Sequence, residues 1–454
     1  MKEITEQKEF NIRPIESYLN TSIGKLKYKQ WFSLTEEQKK SVKILSDDYN
    51  NKNYLILKDI KNLGLKQTLI IYLNDGYSLV CAEDNKLKAV RDGKIIYCKA
   101  NELKENDFLL RSYKKDFCFL PSNRKNNNID YWYLLGCILN GVVYFTKKDL
   151  LACRITNKDN DILHKIKSIL KERSIKFFSK NHTICFDVSS FSNEIKALNI
   201  RVNRLASFNI SLFDSGLFTF NDEITENNIK SFLTSFLDFG RVEVYKKSTV
   251  KPKIRLSFRC DKLARELQSL FDAIGIPSNL EQTFCSRKCY LSEEAIINEN
   301  LSTNIYFTSL MAIQNLLNFD ITNTEIKNHI EQKIKSFYKS NLWNQDIPNF
   351  NKDGVINIDE NLQKYCIKNN IQPNKTQKAL INTKIFHTTY LELFRQKGIE
   401  NFDDDVLDYI YENQSLKTKI LKIIKGDVVE CCGLVIRGNA SNITNVNDSI
   451  ITFS

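Results

Sequence analysis

One apolar segment of this chain occurs twice, and the repetition limits the possible folds more than any other feature. The segment YWYLLGCILNGVVYF (131–145) returns in altered form as FLTSFLDFGRVEV (232–244). Each copy is followed by short strand patterns and then by an amphipathic helix pattern, over 159–172 in the first case and 261–274 in the second. The sequence therefore predicts an internal duplication with the outline αββαββα.

Small residues occupy matching places in the two copies. In an alignment without gaps, Gly136 meets Ser235 and Gly141 meets Gly240. A small residue in the middle of a helix lets a second helix approach closely, and a glycine at the end suits the left-handed turn that closes many helices. We therefore predict that the two helices pack against each other and that each one ends at a left-handed glycine.

This pair of glycine-ended helices resembles the motif of the LAGLIDADG homing endonucleases, in which two helices pack side by side along a pseudo-twofold axis. The resemblance implies an α+β multidomain protein with a two-repeat core over 130–320, divided into 130–221 and 222–320. It also implies a monomer, because both repeats belong to one chain.

The metal-binding positions of that family are altered in this sequence. In the family the residue before each final glycine is an acid, and the two acids hold the metal ions; here these positions are Asn140 and Phe239. Mg²⁺ prefers hard oxygen ligands, and a phenylalanine side chain offers none. We therefore expect no cofactor and no DNA cleavage. The alternative is an active endonuclease that binds Mg²⁺ through Asp238, about 100° round the helix, and a displaced partner.

Basic residues are frequent in the strands after each copy, where the LAGLIDADG enzymes bind DNA. Lys253 and Arg255 alternate with Ile254 and Leu256, so both basic side chains are predicted on one face of a strand. Such a face can neutralise phosphates or reach guanine edges, and the net charge of +12 is compatible with double-stranded DNA as the partner. The predicted contact residues are Arg241, Lys246, Lys247, Lys251, Lys253, Arg255 and Arg259 in the second copy and, fewer in number, Lys147, Lys148 and Arg154 in the first.

The segments on either side of this core have the pattern of a β domain. Short strands separated by the turns NDG, EDN and RDG occupy 42–113, with NYLILKDI and TLIIYL as two separate strands, and β character returns over 423–454. Together they resemble the Hint domain of inteins, split by an insertion, with 1–41 as a leader or as the start of that domain. The order of the segments resembles that of a large intein.

Protein splicing requires groups that this sequence lacks at the matching places. The family uses a Thr-x-x-His motif and a C-terminal Asn whose side chain cyclises. Here the first place reads Ala82-Glu83-Asp84-Asn85, and Phe453 takes the place of the Asn. We therefore predict that splicing is lost.

The rest of the chain supports broader expectations. Residues 321–422 are predicted as a helical insert, which is either a helix-turn-helix unit or a helical hairpin that serves packing alone. The 12 cysteines are scattered without metal-ligand spacing, and no signal-peptide or membrane-spanning pattern occurs. We expect a cytoplasmic or nuclear protein without membrane contact. A third hypothesis is a structural or partner-binding relic that no longer contacts DNA.

Overall fold

Antiparallel sheets dominate an α+β protein in the computed structural model. The chain divides into two units: unit 1 is Met1–Phe117 with Ile334–Ser454, and unit 2 is Cys118–Lys333. The structure describes residues 10–21, 24–45, 54–91, 94–111, 128–200, 202, 210–218, 225–244, 252–284, 301–308, 310–339, 416–436, 442–445 and 450–453.

Unit 1 is built mainly of strands. Its described elements are β1 (Phe10–Pro14), β2 (Tyr18–Thr21), β3 (Gly24–Lys27), α1 (Tyr28–Trp31), α2 (Glu36–Ser41), β4 (Lys43–Leu45), β5 (Tyr54–Leu73), β6 (Ser78–Ala82), β7 (Lys86–Arg91), β8 (Lys94–Lys99), β9 (Phe108–Arg111), β18 (Leu416–Ile436), β19 (Asn442–Asn445) and β20 (Ile450–Phe453). A ten-stranded sheet runs in the order β19-β20-β7-β9-β18-β5-β4, with β1 on β18, β6 on β5 and β8 on β7. The segment 1–41 thus contributes a strand, β1, to this sheet, while β2 and β3 form a separate hairpin.

Two long strands, β5 and β18, join the N-terminal and C-terminal parts of unit 1. They pair antiparallel from Ile420 opposite Leu73 to Ile436 opposite Leu57, with shifts of register between. The prediction of two separate strands, NYLILKDI and TLIIYL, is therefore wrong, because both lie in β5, which continues through Gly64 at a φ of 74°. A glycine inside a strand commonly marks a local bend, and pairing with β18 on both sides keeps this strand continuous. The interpretation of the unit as a Hint domain stays a prediction.

Unit 2 contains two successive α-β-β-α-β-β repeats. The first repeat comprises α3 (Ile129–Asn140), β10 (Val142–Phe145), β11 (Leu151–Thr156), α4 (Asn160–Glu172), β12 (Phe177–Lys180) and β13 (Thr183–Asp187), followed by α5 (Ser192–Ala197). The second comprises α6 (Glu226–Asp238), β14 (Arg241–Glu243), β15 (Lys253–Phe258), α7 (Asp261–Ala273), β16 (Asn279–Phe284) and β17 (Leu301–Phe307), followed by α8 (Leu310–Leu316) and α9 (Thr324–Lys339), of which residues 334–339 are assigned to unit 1. This order agrees with the predicted duplication.

The two repeats carry four-stranded antiparallel sheets with the same strand order, β10-β11-β13-β12 and β14-β15-β17-β16. Their registers match as well. One row across the first sheet consists of Val142, Arg154, Cys185 and Phe178. The equivalent row of the second sheet consists of Arg241, Arg255, Tyr306 and Asn279. Because paired residues in a row point to one face of a sheet, Arg154 and Arg255 occupy equivalent positions.

The two motif helices, α3 and α6, pack closely at Gly136. A Cβ atom at this position would lie 1.9 Å from Ser235 Oγ and 2.8 Å from the carbonyl oxygen of Phe232. Across the same interface, Ser231 Oγ donates a hydrogen bond of 2.7 Å to the carbonyl oxygen of Ile129. The helices therefore meet at the small residues, as the repeat predicted.

The glycines after the two helices serve close packing and not a left-handed turn. Gly141 has φ −97° and ψ −170°, and Gly240 is not among the residues with positive φ, so the prediction of left-handed glycines is wrong. A Cβ atom at Gly141 would lie 2.5 Å from Cys153 Sγ, and one at Gly240 would lie 2.6 Å from Leu256 Cδ2. The chain passes directly from each helix into an edge strand, and the glycine lets the neighbouring strand lie against this corner.

Candidate metal and nucleic-acid sites

The two helix ends that correspond to the metal positions offer little to a cation. Asn140 is the last residue of α3; it is exposed, and its amide nitrogen donates a hydrogen bond of 2.9 Å to the carbonyl oxygen of Gly136. Phe239 caps the C-terminal end of α6 and is half-buried. The amide oxygen of Asn140 is therefore the one side-chain oxygen that these two positions supply.

Asp238, the acid one residue before Phe239, lies in the core of unit 2 with its side chain 0% exposed. Its Oδ1 accepts hydrogen bonds from the backbone N–H groups of Thr322 at 2.6 Å and Asn323 at 3.1 Å. Its Oδ2 accepts a hydrogen bond of 2.7 Å from the hydroxyl of Tyr133, and Lys165 Nζ lies 3.8 Å away. The carboxylate thus holds the end of α6 to α3, to α4 and to the segment before α9.

The surroundings of Asp238 are those of a structural carboxylate. Burial raises the pKa of this carboxyl above its ordinary value, while Lys165, the Tyr133 hydroxyl and the two backbone N–H groups act in the opposite direction. The ammonium group of Lys165 also lies 2.9 Å from Asp320 Oδ2. Because protein donors already occupy both oxygens of Asp238, the residue does not fit a metal ligand that faces DNA.

Further ligands for a metal ion do not come together near these residues. Among the residues that the structure describes, no group of three or more His, Cys, Asp and Glu side chains is placed to hold a metal ion.

The best-placed arginine of the second sheet, Arg255, is already engaged. Its Nη1 lies 2.6 Å from Glu243 Oε1, and its Nε donates hydrogen bonds to Ser257 Oγ at 2.9 Å and to Asn304 Oδ1 at 3.0 Å. Only 14% of the Arg255 side chain is exposed. The guanidinium group therefore reaches the neighbouring strand β17, where Asn304 is fully buried.

Lys253 is engaged in a similar way. Its Nζ lies 3.8 Å from Glu281 Oε1 and 5.0 Å from the ring centre of Tyr306, which is itself buried. Ile254 and Leu256 point into the core on the opposite face, so the strand alternates as the sequence indicated. The sequence contains both acids, but only the register of the strands brings them next to the basic residues.

Two other basic residues of the second repeat remain exposed. Arg241 in β14 and Arg259 after β15 face solvent, and neither forms an ion pair within the described ranges. The predicted contact residues Lys246, Lys247 and Lys251 lie outside the residues that the structure describes.

The first sheet presents its basic residues more openly. Arg154 in β11 is exposed and forms no ion pair in the described part of the chain. Lys147 and Lys148 are exposed in the turn between β10 and β11, and Lys180 is exposed at the end of β12. The first sheet has fewer basic residues in sequence, yet the arginine in its central row is exposed, whereas the equivalent Arg255 of the second sheet is paired with Glu243.

The two residues at the splicing positions lie in unit 1. Asn85 is fully buried; its Oδ1 accepts a hydrogen bond of 2.8 Å from the backbone N–H of Ile12, while its Nδ2 has no hydrogen-bond partner among the described residues. Phe453 lies in β20 opposite Asn442 of β19. These positions carry an amide and an aromatic ring, and the loss of splicing stays a prediction.

Most of the helical insert, including the segment interpreted as a helix-turn-helix unit, lies outside the described residues. Its described parts are α9 with the residues just before it, and residues 416–422, which lie in strand β18 and not in a helix, so the predicted start of the C-terminal β segment at 423 is too late. None of the described helices is both long enough and apolar enough to cross a membrane.

Comparison with known proteins yields likenesses at the level of solved structures. No family model and no curated protein matches the chain. The homing endonuclease I-DmoI, in complex with DNA and Mn, is similar at 10% identity with a TM-score of 0.26, over 44% of this chain and 98% of that chain. The meganuclease I-SmaMI, bound to uncleavable DNA, is similar at 14% identity with a TM-score of 0.26, over 48% and 92% of the two chains.

A third similar structure is full-length DUF199/WhiA from Thermatoga maritima, at 11% identity with a TM-score of 0.28, over 65% of this chain and 82% of that chain. At such identities and TM-scores, these likenesses assign neither a family nor a function. The function has to be inferred from the contacts within the chain.

Proposed function

We propose that this chain is a sequence-specific double-stranded DNA-binding protein of homing-endonuclease type, with DNA cleavage and protein splicing lost. The observation that carries the proposal is the equivalence of the two sheets, each of which places an arginine, Arg154 or Arg255, at the same register position. A duplex DNA site offers phosphates and base edges in each of its two half-sites. Two equivalent basic positions within one chain can therefore contact one half-site each. Because one chain supplies both repeats, the protein binds DNA as a monomer. Its proposed location is the cytoplasm or the nucleus.

The loss of cleavage is part of the same proposal. Asp238 is sequestered by Tyr133, Lys165 and two backbone N–H groups, and Phe239 has no ligand atom. DNA binding tolerates such changes because it depends on a broad charged surface, whereas a two-metal mechanism depends on a few oxygens at fixed positions.

Salt-dependent gel-shift titration of the full-length chain with random-sequence duplexes tests DNA binding. Affinity should fall steeply between about 50 and 200 mM salt, because bound cations release counterions from the phosphates. Lys148→Ala should reduce the slope of log K against log salt by about 1 if Lys148 contacts a phosphate. Lys171→Ala, at an exposed site of α4, is the matched control and should leave the slope unchanged. A flat salt response would refute the proposal.

Cleavage is tested separately with the tightest-binding sequence cloned into a supercoiled plasmid. Incubation with Mg²⁺ or Mn²⁺ should leave the plasmid intact. Cutting by the wild type that disappears in Asp238→Asn, with DNA binding retained, would instead establish the endonuclease alternative.

A further inference from the structure

The outer faces of the two equivalent sheets differ in chemistry. In the first sheet, Arg154 shares its row with the apolar side chains of Val142 and Phe178 and with the Cys185 thiol. The Phe178 ring is 65% exposed at the far end of the row. One face of this sheet therefore offers both an exposed arginine and an exposed aromatic ring.

Tyr144 lies two residues beyond Val142 in β10 and therefore on the same face of the first sheet. Burial and a hydrogen bond to Cys185 raise the pKa of the Tyr144 hydroxyl to about 12, so it remains neutral under ordinary conditions. The corresponding position of the second sheet is Glu243, a charged acid that pairs with Arg255. At this position a neutral phenol on the first sheet stands where the acid of an ion pair stands on the second.

Thymine and guanine are the bases whose major-groove edges fit the first sheet. The C5 methyl group of thymine is the apolar feature of the groove, and arginine recognises O6 and N7 of guanine. Resting on the DNA-binding function proposed above, we propose that the first sheet reads a half-site containing a guanine at Arg154 and thymine methyl groups at Phe178 and Val142. The second sheet, in which Glu243 pairs with Arg255, reads a half-site to which it binds equally well with thymine or with uracil.

The geometry of the sheet limits the spacing of these bases. Arg154 and Phe178 lie two strands apart, which corresponds to about 10 Å at the usual strand separation. With a rise of about 3.4 Å per base pair, a thymine read by Phe178 lies within about three base pairs of the guanine.

Uracil substitution tests the methyl contacts without changing hydrogen bonds to the bases. The probe is the tightest duplex selected by the full-length chain from a randomised library, resynthesised with single thymine-to-uracil replacements. Each replacement at a contacted position should weaken binding about fourfold, as expected for the loss of one buried methyl group. Replacements in the other half-site should have no effect.

Variants assign the effect to the first sheet. Arg154→Ala should relax the preference for guanine in the methyl-sensitive half-site, and Phe178→Ser should abolish the difference between thymine and uracil nearby. Leu65→Ser, which alters a side chain 74% exposed in unit 1, is the control and should preserve both preferences. Specific binding that tolerates uracil at every position would overturn this inference while leaving the DNA-binding function intact. Absence of binding to any duplex would overturn both.

Cys185 offers an independent readout on the wild-type protein. It is half-buried on this face, whereas the other described cysteines are buried. Iodoacetamide labelling followed by peptide mass spectrometry should show slower alkylation of Cys185 when the selected duplex is bound. An unchanged rate at saturating duplex would show that the first sheet does not meet DNA, and would overturn the inference.

Discussion

Replacing Gly136 with alanine should destabilise unit 2, because this glycine is the point at which α3 and α6 touch. The new Cβ atom would lie 1.9 Å from Ser235 Oγ, 2.9 Å from Ser235 Cβ and 2.8 Å from the carbonyl oxygen of Phe232. Rotation of Ser235 could relieve the first contact, but the Oγ would then lose its 2.7 Å hydrogen bond to the same carbonyl. The contact with the backbone carbonyl can be relieved only by separating the helices.

The expected cost follows from these three contributions. Loss of one hydrogen bond costs about 1 kcal/mol. Overpacking of a close helix crossing costs about 1–3 kcal/mol. The higher helix propensity of alanine relative to glycine raises the free energy of unfolding by about 1 kcal/mol. The free energy of unfolding of unit 2 should therefore fall by about 1–3 kcal/mol.

Hydrogen exchange of peptides from α3 and α6, together with chemical denaturation, measures this loss. The control is the double variant Gly136→Ala/Ser235→Gly, which removes both side-chain contacts and leaves the carbonyl contact. Ser235→Gly alone should cost about 1.5 kcal/mol, of which about 0.5 is helix propensity and about 1 is the lost hydrogen bond to the carbonyl oxygen of Phe232. The double variant should be more stable than the sum of the single effects by about 1 kcal/mol. Additive effects, or an unaffected Gly136→Ala protein, would refute the close crossing.

Three further substitutions test other parts of unit 2. Gly141→Ala places a Cβ atom 2.5 Å from Cys153 Sγ, so denaturation should show a loss of about 1–3 kcal/mol, and an unchanged midpoint would mean that the corner opens freely. Asp238→Asn should cost about 1–3 kcal/mol at neutral pH, because both carboxylate oxygens accept hydrogen bonds and the amide nitrogen that replaces one of them cannot. In the folded state the pKa of the Asp238 carboxyl lies above its ordinary value of 3.8, so between these two pKa values the folded state binds more protons than the unfolded state. The stability of the wild type therefore falls as pH rises through that range. The free energy of unfolding of the wild type should accordingly increase relative to that of the variant as pH is lowered from neutral toward about 4. A difference that does not change with pH would contradict the raised pKa. Glu243→Gln should free Arg255 and increase DNA affinity a few-fold at low salt, with a steeper salt slope; an unchanged affinity in gel shifts would place Arg255 away from DNA.

Much of unit 2 could be predicted from local patterns. The amphipathic segments 159–172 and 261–274 agree with α4 and α7 to within a residue at each end, because apolar spacing along a helix is a property of near neighbours. The small residues of the repeat likewise marked the crossing of α3 and α6. The prediction of a left-handed conformation at Gly141 was wrong, because a glycine after a helix is equally compatible with a left-handed turn and with close packing against a strand. Only the position of the neighbouring strand distinguishes the two.

The candidate site was only partly predictable. The replacement of the family's acids by Asn140 and Phe239 can be seen directly in the sequence. The engagement of both Asp238 oxygens by protein groups cannot be seen there, because those groups belong to residues 133, 165, 322 and 323, which are far apart along the chain. Sequence reasoning therefore kept Asp238 as a catalytic alternative, although its oxygens are occupied.

The sequence by itself determined the duplication, the order of helices and strands in each repeat, and the alternation that sets Lys253 and Arg255 on one face. These features depend on periodicities of two to four residues, which a chain displays without folding. Only the tertiary structure decided which cations are available. Strand register places Glu243 against Arg255 and leaves Arg154 exposed in the same row as Phe178, because partners across a sheet are chosen by long-range pairing and not by neighbours in sequence.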